Sequence, residues 1–448
     1  ADIAAGKQGQ TSSSGSVYAS SGATFEVDCV KGKYQLNGDA ACADTPAGHV
    51  SRVANDADAT ANQVGGLYSV PCSAGYYRVA ADVGTANDCA DIAAGKQGQT
   101  SSSGSVYAST GAAFQVDCVA GKYSTDGDAA CADVAAGKVG RTSNDATTGL
   151  ADSEHEAGAA FEVGCFAGTY RTANNDDSNC INVPAGKVGH SESASTTTTH
   201  ETGAYQLADC PAGTFKAAAG TTNCVDVAAG KVGRTSNDAT TGLADSEHEA
   251  GAAFEVGCFA GTYRTANNDD SNCINVPAGK VGHSESASTT TTHETGAYQL
   301  ADCPAGTFKA AAGTTNCVDV AAGKVGRKVA GARSSVADSI HETAATVEVG
   351  CVAGSWRQAS SGNSNCVVVP AGSVGRVADD ADAVANEVAA AYISPCSAGY
   401  YRDAAASTAL TDCVDIAAGK QGQLLGTGAV YASTGAAFQV DCVAGKFE

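Results

Sequence analysis

Ten cysteines recur along the 448-residue chain at positions 29, 72, 118, 165, 210, 258, 303, 351, 396 and 442, so that neighbours lie 43 to 48 residues apart throughout. A spacing this regular excludes a set of unrelated globular domains and predicts one small unit used repeatedly. Residues 133–225 recur unchanged as 226–318, a 93-residue period that holds two such units, and the identity runs on to Arg327. The chain therefore divides into modules 1–42, 43–89, 90–132, 133–180, 181–225, 226–273, 274–318, 319–366, 367–413 and 414–448, the last one incomplete. Each reads as an Ala-Gly turn (VAAGKVG, VPAGKVG or IAAGKQG), a Ser/Thr/Asp-rich stretch, a short alternating run, a Cys-x-Ala-Gly-x-aromatic element and, in the complete modules, a second cysteine 13 to 17 residues after the first. They come in flavours. Modules 1–42, 90–132 and 414–448 share AAGKQGQ, 43–89 and 367–413 share PCSAGYYR, and the middle alternates AFEVGCFAGTYR with AYQLADCPAGTFK.

Composition says what must hold such units together. Hydrophobic residues make up 43% of the chain, but aromatics only 6%, with no Met and one Trp, so Ala and Val supply most of the apolar surface. Few side chains can contribute the ~1.5–3 kcal/mol of a large buried residue, and something else must offset chain entropy. The 19 cysteines are that something, read as a disulfide framework. Such a framework persists in an oxidising compartment, which predicts an extracellular, cell-surface location. The balance of 26 basic and 48 acidic residues, net −22, disfavours nucleic acid as a partner. No apolar run reaches the roughly 18 residues of a membrane span. The chain opens at Ala1 with no charged-then-apolar leader, so any signal peptide is expected to be cleaved or to lie outside it. The odd cysteine, Cys442, is expected to pair with a partner beyond residue 448.

Local pattern predicts a mainly β fold: short strands and turns in small disulfide-rich modules stacked in tandem into an elongated rod, with very little helix. Apolar residues alternate before each first cysteine (Phe114, Val116, Cys118; Phe161, Val163, Cys165; Val347, Val349, Cys351), placing each trio on one strand face. Gly168, Gly213 and Gly354 then allow a sharp turn, and Tyr170, Phe215 and Trp356 are expected to cover the bridge. The Ala-rich stretch 380–391 is the best candidate for a turn or two of helix. Two disulfide schemes compete. One pairs neighbours: Cys29–Cys42, Cys72–Cys89, Cys118–Cys131, Cys165–Cys180, Cys210–Cys224, Cys258–Cys273, Cys303–Cys317, Cys351–Cys366 and Cys396–Cys413. It is favoured because each closed loop is short and worth roughly 3 kcal/mol. The other joins module to module, as in Cys42–Cys72.

The segment CPAGTFKAAAGTTNC, at 210–224 and 303–317, followed by VDVAAGK, resembles the cysteine-rich repeats of ephrin-receptor-like type, which are similar in turn to tumour-necrosis-factor-receptor and EGF-like modules. That resemblance implies a secreted or surface repeat protein of a protist or alga, built as a disulfide ladder. The chain departs from the pattern where the family carries the second cysteine of Cys-x-x-Cys. Val183, Val276, Val227, Val320, Thr45 and Val369 stand there instead.

Motifs that mimic active sites fall short. His-Glu occurs at His155, His200, His248, His293 and His341, but a zinc protease needs a second His four residues later, where Ala159, Ala204, Ala252, Ala297 and Ala345 stand. A loop or inter-module contact is the expected role. Gly137-Lys138 lacks both the upstream Gly and the following Ser/Thr of a phosphate loop, with Ala132 and Val139 in those places. Asp176, Asp177, Asp269 and Asp270 are candidate Ca²⁺ ligands without the EF-hand spacing. The hydroxyl runs Ser193, Ser195, Thr196, Thr197, Thr198, Thr199 and Ser286, Ser288, Thr289, Thr290, Thr291, Thr292 are candidate O-glycan sites. No Asn-x-Ser/Thr sequon occurs.

These features predict a structural subunit of an extracellular filament or cell-surface fibre, such as a flagellar mastigoneme, associating with copies of itself. No enzymatic activity and no cofactor are expected beyond O-linked sugars or bound Ca²⁺. A repetitive adhesin or receptor-like ectodomain, binding a protein or glycan, is the alternative reading.

Overall fold

In the computed structural model the described residues are all but 1, 14–17, 38–40, 103–106, 173–176, 193–196, 266–269, 286–289, 332–334, 359–361, 404–410, 425–430 and 444–448. They form two compact units, one of 1–211 with 216–225 and the other of 212–215 with 226–448. Within each unit the same pair of hairpins repeats.

The long hairpin pairs the strand after the Ala-Gly turn with the strand before the first cysteine. Lys138–Arg141 lies antiparallel to Phe161–Gly164, with Val139 opposite Val163. In module 319–366 the strands are Lys324–Arg327 and Val347–Gly350. The short hairpin straddles the module boundary. Thr169–Tyr170 pairs with Ile181–Asn182, and Ser355–Trp356 with Val367–Val368. All described sheets have two strands, and the helices among the described residues are two single 3-10 turns, Ala80–Asp82 and Val336–Asp338.

Nine disulfides close loops inside modules, and Cys29 pairs with Cys42, leaving no Cys42–Cys72 bridge. Seven of them each centre a very small core. Val139 packs on Cys165 and Cys180, Val281 on Cys303 and Cys317, Val325 on Cys351 and Cys366. A core of one cystine and one to three small apolar side chains explains how a chain this poor in large residues folds at all.

Two expectations need correction, and a third gains detail. The bridge is covered by the strand valine, while Tyr170, Phe215 and Trp356 are half-buried in or beside the short hairpins; Tyr76 and Tyr400 pack on cystines from the preceding position. The trio Phe161, Val163, Cys165 shares a face, but burial runs as a gradient from 40% exposed at Phe161 to 0% at Cys165. Residues 380–391 form no helix. Ala383 bridges to Cys396, Asn386 accepts from the Gly375 N–H, and Ala389 adopts a positive φ of 64°, which a right-handed helix does not contain.

Candidate functional site: the joint between modules

The joint is built from backbone. In module 133–180 the Ala-Gly turn places Gly137 beside Cys165 and Arg171. The Cys165 N–H donates to the Gly137 carbonyl at 2.7 Å, and the Gly137 N–H donates to the Arg171 carbonyl at 2.8 Å. The next module completes the set. Gly203 donates its N–H to the Cys165 carbonyl at 2.8 Å, and the Arg171 N–H donates to the Ala204 carbonyl at 3.1 Å. A module standing alone would leave a carbonyl and an N–H of this chain of bonds unpaired, so its successor finishes it.

The same four bonds recur at every described joint inside the two units. In the first they link Cys29, Cys72, Cys118 and Cys165 to Gly65, Gly111, Gly158 and Gly203. In the second, Cys258, Cys303, Cys351 and Cys396 receive Gly296, Ala344, Ala389 and Gly435. Approach is close: a Cβ on Gly137 would lie 2.1 Å from the Gly203 carbonyl oxygen, and one on Gly372 would lie 2.2 Å from that of Gly435. The incoming residue has positive φ, +70° at Gly203 and +69° at Gly435. Ala344 and Ala389 hold the same conformation at +55° and +64°, the only non-glycine residues to do so among those described. The alanine that follows sits in the joint itself, with Ala159, Ala204, Ala297 and Ala345 all 0% exposed. These alanines occupy the places where a zinc protease would carry its second histidine.

A buried cation braces the turn in seven modules, and sequence reasoning missed it. Arg78, Arg171, Lys216, Arg264, Lys309, Arg357 and Arg402, each immediately after the aromatic, are 1–3% exposed. Arg171 donates from Nη1 to the carbonyls of Ala135, Val134 and Lys138 at 3.0–3.3 Å, and from Nε to Ser178 at 2.7 Å. Lys309 donates to the Val276 and Pro277 carbonyls at 3.0 Å. Burial pulls the pKa of Lys216, Lys309, Arg78, Arg357 and Arg402 below the ordinary value. Gln35 and Ser124 replace the cation in modules 1–42 and 90–132. The recurring aromatic–cation dipeptide was visible in the sequence; that the charge points inward was not, because lone carbonyls leave no sequence signature.

The His-Glu pairs prove to be two loop fasteners within the module. His155, His200, His248, His293 and His341 accept from a mid-strand N–H through Nδ1, as His341 does from Gly326 at 3.0 Å. Asn386 performs the same task through Oδ1 at 2.9 Å. An accepting Nδ1 requires the neutral ring with its proton on Nε2. Burial lowers the pKa of His200 and His293, and burial reinforced by Arg357 lowers that of His341 to about 4. The glutamates accept from the residue after the strand: Glu156 from the Thr142 N–H at 2.6 Å, Glu201 from the Ser191 hydroxyl at 2.6 Å. These bonds hold Glu156 and Glu201 below the usual carboxylate range.

The remaining candidates do not gather into a site. Asp176 and Asp269 lie outside the described residues, and Asp177 and Asp270 are exposed. Among the described residues no three His, Cys, Asp or Glu side chains converge as metal ligands. Ser193, Ser195, Thr196, Ser286, Ser288 and Thr289 also lie outside them. Thr197, Thr199, Thr290 and Thr292 are exposed, while Thr198 and Thr291 are half-buried and their carbonyls accept from Cys224 and Cys317 at 2.8 Å. Among the described residues no helix is long and apolar enough to cross a membrane. No protein-family model matches the chain, and no curated protein matches it.

Proposed function

We propose that the chain is a structural segment of an extracellular fibre, assembled with copies of itself and carrying O-linked sugars on its Ser/Thr runs. The joint carries this reading. Four backbone bonds repeat at eight described joints although the flavour of module changes from one to the next, so the geometry of succession is independent of side-chain variation. Repeats whose only interfaces are with neighbours extend without limit, and their stability grows with number. Nine disulfides suit an oxidising exterior, and the net charge of −22 keeps separate chains apart until sugars, cations or a defined lateral contact bring them together. A surface hair of mastigoneme kind is the specific form proposed. Negative-stain imaging of native surface material labelled with an antibody to this chain tests it. Ordered filaments decorated along their length support the proposal; label confined to the membrane on isolated single molecules contradicts it.

A further inference from the structure

Modules 1–42 and 90–132 carry the same cleft, of about 320 Å³ and about 700 Å³. Both volumes fall in the range of small-ligand sites, roughly 300–1,000 Å³. Gln10 lines the first, with Tyr18 and Val30 as apolar walls and Asp28 and Lys33 at the rim; Gln99, Tyr107, Val119, Asp117 and Lys122 stand in the same places in the second.

The amide is buried without a full set of partners. Gln10 is 1% exposed, and neither its Oε1 nor its Nε2 meets a hydrogen-bond partner; Gln99 is 4% exposed and its Oε1 lacks one too. A buried amide left unpaired keeps its desolvation penalty uncompensated. At this register Arg141, Arg234 and Arg327 each sit 3.0 Å from a glutamate, while His190 and His283, 1–2% exposed, leave both ring nitrogens without a hydrogen-bond partner. What sets Gln10 and Gln99 apart is that each unpaired carboxamide lines a cleft.

The chemistry of the lining selects the ligand. The rim charges are already matched inside the protein, Asp28 by Lys7 at 3.5 Å, Asp117 by Lys96 and Lys122 by Asp133 at 2.5 Å, so the cleft does not call for an ion. A carboxamide donates and accepts at once, as vicinal hydroxyls do. A tyrosine ring beside a valine offers a flat apolar wall for the C–H face of a sugar ring. We propose that these two clefts are carbohydrate sites, each taking one ring of a neutral oligosaccharide, and that their repetition along one chain makes binding to a polysaccharide multivalent. The fibre reading is not needed for this. Gln423, 5% exposed, is the counterpart in the last module, with Tyr431 and Val443 at the positions of Tyr18 and Val30.

The test is calorimetric titration of the full chain with cellotriose, laminaritriose, maltotriose, mannotriose and chitotriose, with a neutral Gln-rich peptide alongside. Binding of at least one trisaccharide at about 1 mM or tighter is expected. The double variant Gln10→Leu, Gln99→Leu is expected to lose at least about tenfold in affinity while melting no lower than the parent, since a buried unpaired amide has been removed. Tyr18→Ala with Tyr107→Ala, which removes the stacking wall and leaves the buried amides in place, is expected to lose binding by a similar factor. No binding of any trisaccharide up to about 10 mM, binding of the peptide alone, or sugar affinity unchanged in both double variants overturns the proposal.

Discussion

The carbonyl of Cys165 accepts the N–H of Gly203 at 2.8 Å across a module boundary, and the half-cystine that staples one module is thereby also the acceptor that receives the next. The coupling has a mechanical consequence. The disulfide to Cys180 fixes the position of Cys165 within its own module, so the joint inherits the rigidity of the staple.

Substitutions at the paired glycines test how tight this approach is. Gly372→Ala is expected to destabilise its joint by more than the ~1–3 kcal/mol of left-handed strain alone, because its Cβ would lie 2.2 Å from the Gly435 carbonyl oxygen. Ala344→Gly and Ala389→Gly, at φ of 55° and 64°, are expected to stabilise by about 1 kcal/mol each, measured by denaturant melts of the single variants.

The buried cations make a second test. Arg402 donates to the carbonyls of Val369 and Pro370 at 2.9 and 3.0 Å and is 1% exposed. Arg402→Met leaves those acceptors unpaired and is expected to cost on the order of 3 kcal/mol. Arg402→Lys should cost much less, since Lys309 holds the equivalent turn with two such bonds. Equal losses in the two variants, read by thermal melts, would remove the carbonyl-bracing role.

Acid sensitivity follows from the histidines. The unfolded chain protonates His341 below about pH 6.5, whereas the folded chain resists until about pH 4. Protons therefore favour the unfolded state across that window, and stability conferred by the neutral ring is fully present above it and lost as pH falls through it. Glu156, Glu201, Glu249 and Glu294, with folded pKa values below 4.5, add loss in the same direction at lower pH. His341→Asn, which copies the acceptor that Asn386 supplies, is expected to flatten the slope of melting temperature against pH between 6.5 and 4 without lowering stability at neutral pH.

Much of the module was legible in the residues, because its signals are local. Alternation before the cysteine marks the strand ending at Gly164, and the glycine of Cys-x-Ala-Gly marks the turn at Gly168, whose φ is +92°. The joint was not legible, because its acceptors are main-chain carbonyls and its donors main-chain N–H groups that any residue carries. Its one side-chain trace is the Gly-Ala pair at 203–204 with its echoes, which reads as filler until the neighbouring module is in place. Residues 380–391 misled for a related reason: alanine favours helix on its own, but Ala389 and Ala390 are claimed by the bonds to Cys351 and Arg357.

Hydrogen exchange at the joint amides tests the central claim most directly. The N–H groups of Gly65, Ala344 and Ala389 lie in segments of distinct sequence, so each is resolved by peptide mass. If neighbouring modules complete one another, these amides exchange as slowly as those of the long hairpins, Val347–Gly350 and Tyr392–Pro395 among them. Joint amides that exchange at the rate of exposed loops while those hairpins stay protected would mean that the modules are independent beads, and would contradict the account.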